Sequence, residues 1–171
     1  MDWFIADTQF NRKSIIEYRN RPYLDVEEMN TRLIANINRV VKPEDRLFHL
    51  GNFAFGKARS WRNQIECDNI FLIQGPMDKN LGYEKSLFRE VHQIFHLQLN
   101  VVGMRKHVVL CHYPLLIWPR MNDGAWHLHS HTLGKLTHDP KKLCLDVGVD
   151  CTNYKPISLP EVFAQMASKM V

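Results

Sequence analysis

The apolar and polar positions divide the chain into short apolar runs and two amphipathic segments. Several of the runs share one form, in which a few β-prone residues break into a loop carrying polar residues or glycine. They are Trp3–Phe10 (WFIADTQF), Leu47–Gly56 (LFHLGNFAFG), Ile70–Asp78 (IFLIQGPMD), Val108–Pro114 (VVLCHYP) and His127–Gly134 (HLHSHTLG). Each predicts a strand ending in a loop, and in sheets with parallel strands such endings gather along one edge, where ligands bind. The first amphipathic segment begins at Asp25, with Glu28 three residues on as in a capping box. Val26, Met29, Leu33, Ile37 and Val40 follow at helical spacing until Lys42-Pro43 stops them. The second begins at Ser158-x-x-Glu161 and places Leu159, Val162, Phe163 and Met166 on one face.

Between these landmarks the pattern predicts a helix over Lys57–Glu66 and leaves Leu81–Arg89 undecided. It pairs Val91–Leu99 with Arg105–Cys111 as a hairpin turning near Asn100–Gly103, unless Gly103 marks a bulge. A further strand is expected over Leu143–Val147. Strands and helices alternate early and strands dominate late, which predicts an α/β (α+β) layered domain with helices outside the sheets. At 171 residues, without repeats or linkers, residues 1–171 read as one domain.

Charge and cysteine usage narrow the partners only slightly. The net charge of +4 permits an anionic partner, but the basic residues are scattered and form no nucleic-acid arm. Asp2 and Asp7 flank an apolar stretch too short for a signal peptide, and no run is long enough to span a membrane. Cys67, Cys111, Cys144 and Cys151 lack CxxC spacing, as expected of reduced thiols in a cytoplasmic protein. Cys111 alternates with His112 and so reads as core. His127, His129 and His131 would share one strand face. The loop from Leu115 to Trp126 carries Trp118 and Trp126, which would serve either as a binding or base-stacking surface or as packing.

The loop residues carry the candidate chemistry. They read Asp7-Thr8-Gln9, Gly51-Asn52, Gly75-Pro76-Met77-Asp78, His112-Tyr113-Pro114 and Ser130-His131-Thr132-Leu133. In order and spacing, from Trp3 to about Ile157, they resemble the calcineurin-like metallophosphoesterases, and above all their short bacterial and phage branch. That family has Asp-x-His, Gly-Asp, Gly-Asn-His-Asp, a His-x-Pro turn and Gly-His-x-His at these places. The resemblance implies a four-layer fold, a β-sandwich flanked by helices, with a metal cleft at one sheet edge.

The departures from that pattern bear on function. Two dications about 3.5–4 Å apart would clamp a phosphoryl group and activate water. The bridging Asp is here Asn52, which carries no charge to offset their repulsion. Other ligand positions hold Gln9, Pro76 and Leu133, and the general-acid position holds Met77, a thioether with no proton to give. Asp7, His112, His131 and Asp78 are retained. The resemblance therefore implies an inactive or severely impaired metallophosphoesterase-fold protein acting as a binding module. A protein-directed inhibitor or adaptor is expected, and a phage-encoded, host-directed binder falls within that expectation. No cofactor is expected, or at most one manganese or zinc ion held weakly by Asp7, Asn52, His112 and His131. The alternatives are a residual single-metal phosphodiesterase or phosphatase, and a nucleotide or nucleic-acid binder using Trp118 and Trp126. Without metals, Asp7 and Asp78 would repel a phosphate unless Arg12, Lys13 or Lys79 turned in.

Overall fold

The structure, a computed structural model, describes residues 1–79, 81–101, 103–137 and 139–169. It is a mixed α+β arrangement of two sheets and several helices. The first sheet runs β4-β3-β2-β1-β9, from β1 (Asp2–Ile5), β2 (Arg46–His49), β3 (Asn69–Ile73), β4 (Glu90–His92) and β9 (Ile157–Ser158). Strands β1 to β4 are parallel, and β9 adds antiparallel to β1. The second sheet runs β5-β6-β7-β8, from β5 (Ile94–Val101), β6 (Met104–Cys111), β7 (Trp126–His129) and β8 (Cys144–Asp146). Here β5 and β6 form the antiparallel hairpin, while β6, β7 and β8 are parallel.

Strand alternation sends side chains into different layers. Phe4, Phe48, Phe71 and Ile73 meet Leu97, Leu99, Val108, Leu110, Trp126 and Leu128 in a cluster between the sheets. Ile5, Leu47, Ile70 and Leu72 point the other way, toward Met29, Leu33 and Ile37 of α2 (Val26–Val40). Both faces of the parallel strands are thus buried, which explains their near-continuous apolar character. On the outer face of the second sheet, Val109 and Cys144 pack against Trp118 and Ala125. Trp118 is only 3% exposed and donates its indole N–H to the Ala125 carbonyl at 2.9 Å, and Trp126 is fully buried between the sheets. Both tryptophans therefore serve as packing, and neither offers a base-stacking face.

Both amphipathic helices form where the periodicity places them. Asp25 caps α2 by accepting the Glu28 N–H at 2.8 Å, a contact worth about 1 kcal/mol. The Glu28 carboxylate reaches Leu24 N rather than closing the box on Asp25. Ser158 and Glu161 close the predicted capping box at α4 (Leu159–Ala167), whose Val162 and Met166 enter the inter-sheet cluster.

Elsewhere the prediction needs correction. The helix expected over Lys57–Glu66 shrinks to α3 (Arg59–Arg62), because that stretch offers little apolar face beyond Trp61 and Ile65. A short helix not expected from the sequence, α1 (Ser14–Arg19), follows the first loop. Leu81–Arg89 resolves into a 3-10 segment, Gly82–Leu87. The single strand expected over Val91–Leu99 is two strands, since the chain leaves the first sheet after His92 and enters the second at Ile94. Pairing is unbroken from Ile94↔Cys111 to Val101↔Met104, so Gly103, at φ +74°, lies in the reversal and not in a bulge; position 102 is outside the described residues.

Backbone bonds continue past the C-terminal ends of the parallel strands: Leu50 N donates to Ile5 O at 2.8 Å within the first sheet, Ser130 N to His112 O at 3.0 Å within the second, and Val149 N to Ala6 O at 3.0 Å between the two. The His112 ring reaches Leu50 O from the other sheet at 2.6 Å.

Candidate functional site

The loops leaving β1, β2, β3, β6 and β7 converge, and they bring Asp7, Gln9, Asn52, Met77, Asp78, His112 and His131 into one cleft. The backbone is unusual at these positions. Asp7, Gln9, Asn52, His131 and Leu133 have φ of 55°, 48°, 54°, 72° and 51°. Left-handed backbone is uncommon outside glycine, and its accumulation marks functional sites. Arg21 helps to hold it: fully buried and paired with Asp150 at 2.8 Å, it donates to the carbonyls of Asp7 at 2.8 Å and Thr8 at 3.2 Å. Gly75 permits a close approach, because a Cβ there would stand 2.8 Å from Asn52 Oδ1 and 2.9 Å from the His112 ring.

The Asp7 carboxylate is fully buried and surrounded by donors. Its Oδ1 accepts from Asn52 Nδ2 at 2.8 Å and Gln9 Nε2 at 3.4 Å. Its Oδ2 accepts from the Ser130 hydroxyl and from His131 N at 3.2 Å. A carboxylate has only acceptors, so the Asn52 amide must present its NH2 to Asp7, and its oxygen then accepts Met77 N at 3.2 Å. His112 Nδ1 faces a carbonyl and therefore carries a proton. In the neutral ring, Nε2 is then the acceptor, facing His131 Nδ1 at 3.1 Å and Asn52 Nδ2 at 3.4 Å. Burial lowers the His131 pKa, as does the neighbouring His112, while Asp7 and Asp146 oppose the shift.

Asp78 belongs to the frame of the cleft. Its carboxylate accepts backbone N–H from Asn52 at 2.6 Å, Gly75 at 2.8 Å and Phe53 at 3.0 Å, tying the loop after β2 to the loop after β3. Burial pushes its pKa up, against the pull of those donors and of His112.

Leu133 packs against the helix-side core and Pro76 lies exposed. Neither has a side-chain donor atom. Position 52 supplies an uncharged amide whose NH2 already faces Asp7. The donors present do not fit a two-metal centre. Among the described residues, no group of three or more His, Cys, Asp and Glu side chains converges as a metal-binding set.

The remaining candidates separate from the cleft. His127 Nε2 accepts Leu115 N at 3.0 Å and its ring lies 5.3 Å from that of His129, whereas His131 sits beyond the strand in left-handed backbone. Of the three cations expected to matter only if they turned in, Arg12 does so. Its Nη1 donates to Gln9 Oε1 at 2.6 Å and lies 3.6 Å from Met77 Sδ. Sequence reasoning gave no role to Arg21 or Ser130, whose partners are brought near only by the fold.

With the geometry in place, the chain can be set beside known proteins. No family model matches it. It is 34% identical over 166 residues to the uncharacterized protein MJ1445 of Methanocaldococcus jannaschii, covering 92% of this chain and 86% of that protein. The chain belongs to the family of MJ1445. A crystal structure of a protein of unknown function, AQ665 from Aquifex aeolicus, has the same fold, with a TM-score of 0.72 and 24% identity over 96% of this chain and 98% of that one. Among the described residues, no helix is long and apolar enough to cross a membrane.

Proposed function

We propose that this protein is a metallophosphoesterase-fold chain that has exchanged metal catalysis for binding, acting on a protein partner as an inhibitor or adaptor. The observation that carries this reading is the Asn52 amide. It stands between Asp7 and His112 and donates to Asp7, where a two-metal enzyme needs a charged bridge. Ser130, Gln9 and the His131 backbone supply the other donors to Asp7, so hydrogen bonds do the neutralising work that metals would otherwise do. Met77 stands at the general-acid position with no proton to donate. Two stacked sheets whose parallel strands end at the cleft support the calcineurin-like arrangement. The exposed Tyr113, Leu116 and Ile117 on the loop after His112 offer apolar side chains beside the cleft for a protein partner.

The test is elemental analysis of protein purified without chelator, together with a phosphodiesterase assay supplemented with manganese. Background metal and no turnover are expected. Near-stoichiometric metal with turnover abolished by His112→Ala would overturn the reading and favour the single-metal phosphoesterase, for which the 3.1 Å approach of His112 and His131 is the supporting observation.

A further inference from the structure

We propose that Arg12, Lys13 and Phe55 form the socket through which this cleft grips its partner, and that the socket takes an acidic side chain flanked by an aromatic or aliphatic one. The inference rests on the protein-binding reading above and names the chemistry of the partner.

Arg12 is an unusually available cation. Its protein acceptors are all neutral: Gln9 Oε1 at 2.6 Å, Ser14 Oγ at 3.4 Å and Met77 Sδ at 3.6 Å. Among the described residues it forms no ion pair, and its Nη2 has no acceptor. A guanidinium held through Nε and Nη1, with Nη2 unengaged, can donate a charge-assisted hydrogen bond to a carboxylate.

The surroundings supply the rest of the socket. Arg12 and Lys13 line a cavity of about 520 Å³ with Asn11, Ser14, Phe55 and Met77, and among the described residues no acidic one lines it. Phe55 is 60% exposed. Together with Met77 it also borders a second cavity of about 290 Å³, to which Ala54 and Leu81 add apolar surface. The two acidic residues of that second cavity are already engaged. Glu84 accepts the N–H groups of Ala58 at 3.0 Å and Arg59 at 3.1 Å, and Asp78 is buried against its own three N–H donors. The result is a positive pocket beside an apolar one, divided by Phe55 and Met77. A carboxylate on Arg12 and Lys13 places the neighbouring side chain of the partner against Phe55. Nucleic acid fits less well, because the described lining offers one exposed aromatic face and no row of stacking platforms.

The test uses chelator-treated protein and a fluorescently labelled random copolymer of glutamate and tyrosine, read by anisotropy, with polyglutamate and a single-stranded oligonucleotide as comparison probes. The glutamate–tyrosine copolymer is expected to bind more tightly than either comparison probe. Arg12→Gln and Phe55→Ala are each expected to weaken it by roughly tenfold, the size of one lost charge-assisted or aromatic contact, with unchanged thermal melting. Failure of the copolymer to bind, binding indifferent to both substitutions, or equal binding of the oligonucleotide with the same sensitivity would overturn the socket. The manganese-supplemented turnover assay, run on the same preparation, separates the two ideas: turnover sinks the non-catalytic reading whether or not the copolymer binds.

Discussion

Replacing Asp78 tests whether this carboxylate serves the frame of the cleft or its chemistry. In Asp78→Ala, three backbone N–H groups, those of Asn52, Phe53 and Gly75, lose the acceptors that now stand 2.6, 3.0 and 2.8 Å away. The residue is 2% exposed, so water has no ready route to replace them. Each orphaned donor costs about 1–3 kcal/mol, and relief from burying a charge offsets part of the sum. The expected loss is about 3–5 kcal/mol for Asp78→Ala and about 2 kcal/mol for Asp78→Asn, which keeps one oxygen but turns an NH2 toward a donor. At roughly 2 kcal/mol per molar urea, the alanine variant should unfold about 2 M earlier by circular dichroism. If both variants stay within about 0.5 kcal/mol of the parent, the scale of an ordinary surface change, the tethering argument is wrong.

Three further outcomes follow from the same contacts. Arg21→Ala leaves the Asp150 carboxylate without its buried partner and should cost about 3–5 kcal/mol by thermal unfolding, whereas Arg21→Met combined with Asp150→Leu should recover part of it, the carbonyls of Asp7 and Thr8 still lacking their donor; equal losses in both would refute this. Burial, with a smaller contribution from His112, pushes the His49 pKa down to about 3. Below pH ~6.5 the unfolded chain therefore takes up a proton that the folded chain refuses, and stability falls by about 1.4 kcal/mol per pH unit. Urea midpoints near pH 7 and pH 5 should differ less in His49→Gln than in the parent, and an identical difference would exclude this source of acid sensitivity. Asn52→Asp alone should give no phosphodiester hydrolysis with manganese, because Gln9, Pro76, Met77 and Leu133 are unchanged; substantial turnover would show that one substitution had disabled the site.

The sequence made some levels of this structure legible and left others closed. Helices α2 and α4 could be read because their apolar period and their caps at Asp25 and Ser158 agree. The crossing between sheets at Gln93 could not, because Val91 and Phe95 continue the alternation of a single strand while belonging to different sheets. The two-residue β9 carries no period at all and exists only because Phe4 and Ile157 come into register. In the cleft, the motif spacing placed Asp7, Asn52, Asp78, His112 and His131 together. Which neighbours would turn inward was decided by contacts among residues far apart in sequence, as Ser130 and Asp7 illustrate. Trp118 and Trp126 were ambiguous because an aromatic loop reads alike whether it covers a sheet or faces a ligand.

The main-chain bonds that join the strand ends have a consequence for the exchangeability of this site. Leu50 to Ile5, Gln9 to Asn52, Ser130 to His112 and Val149 to Ala6 are backbone contacts, indifferent to the side chains that project between them. The framing work falls on Asp78 and Arg21, and positions 9, 52 and 77 are left as occupants of a pre-built recess. A combinatorial library randomised at those three positions, with Gly51, Gly75, Asp78 and Arg21 held, should retain many folded members. The chain would then serve as a display scaffold whose recess can be rewritten without rebuilding its walls.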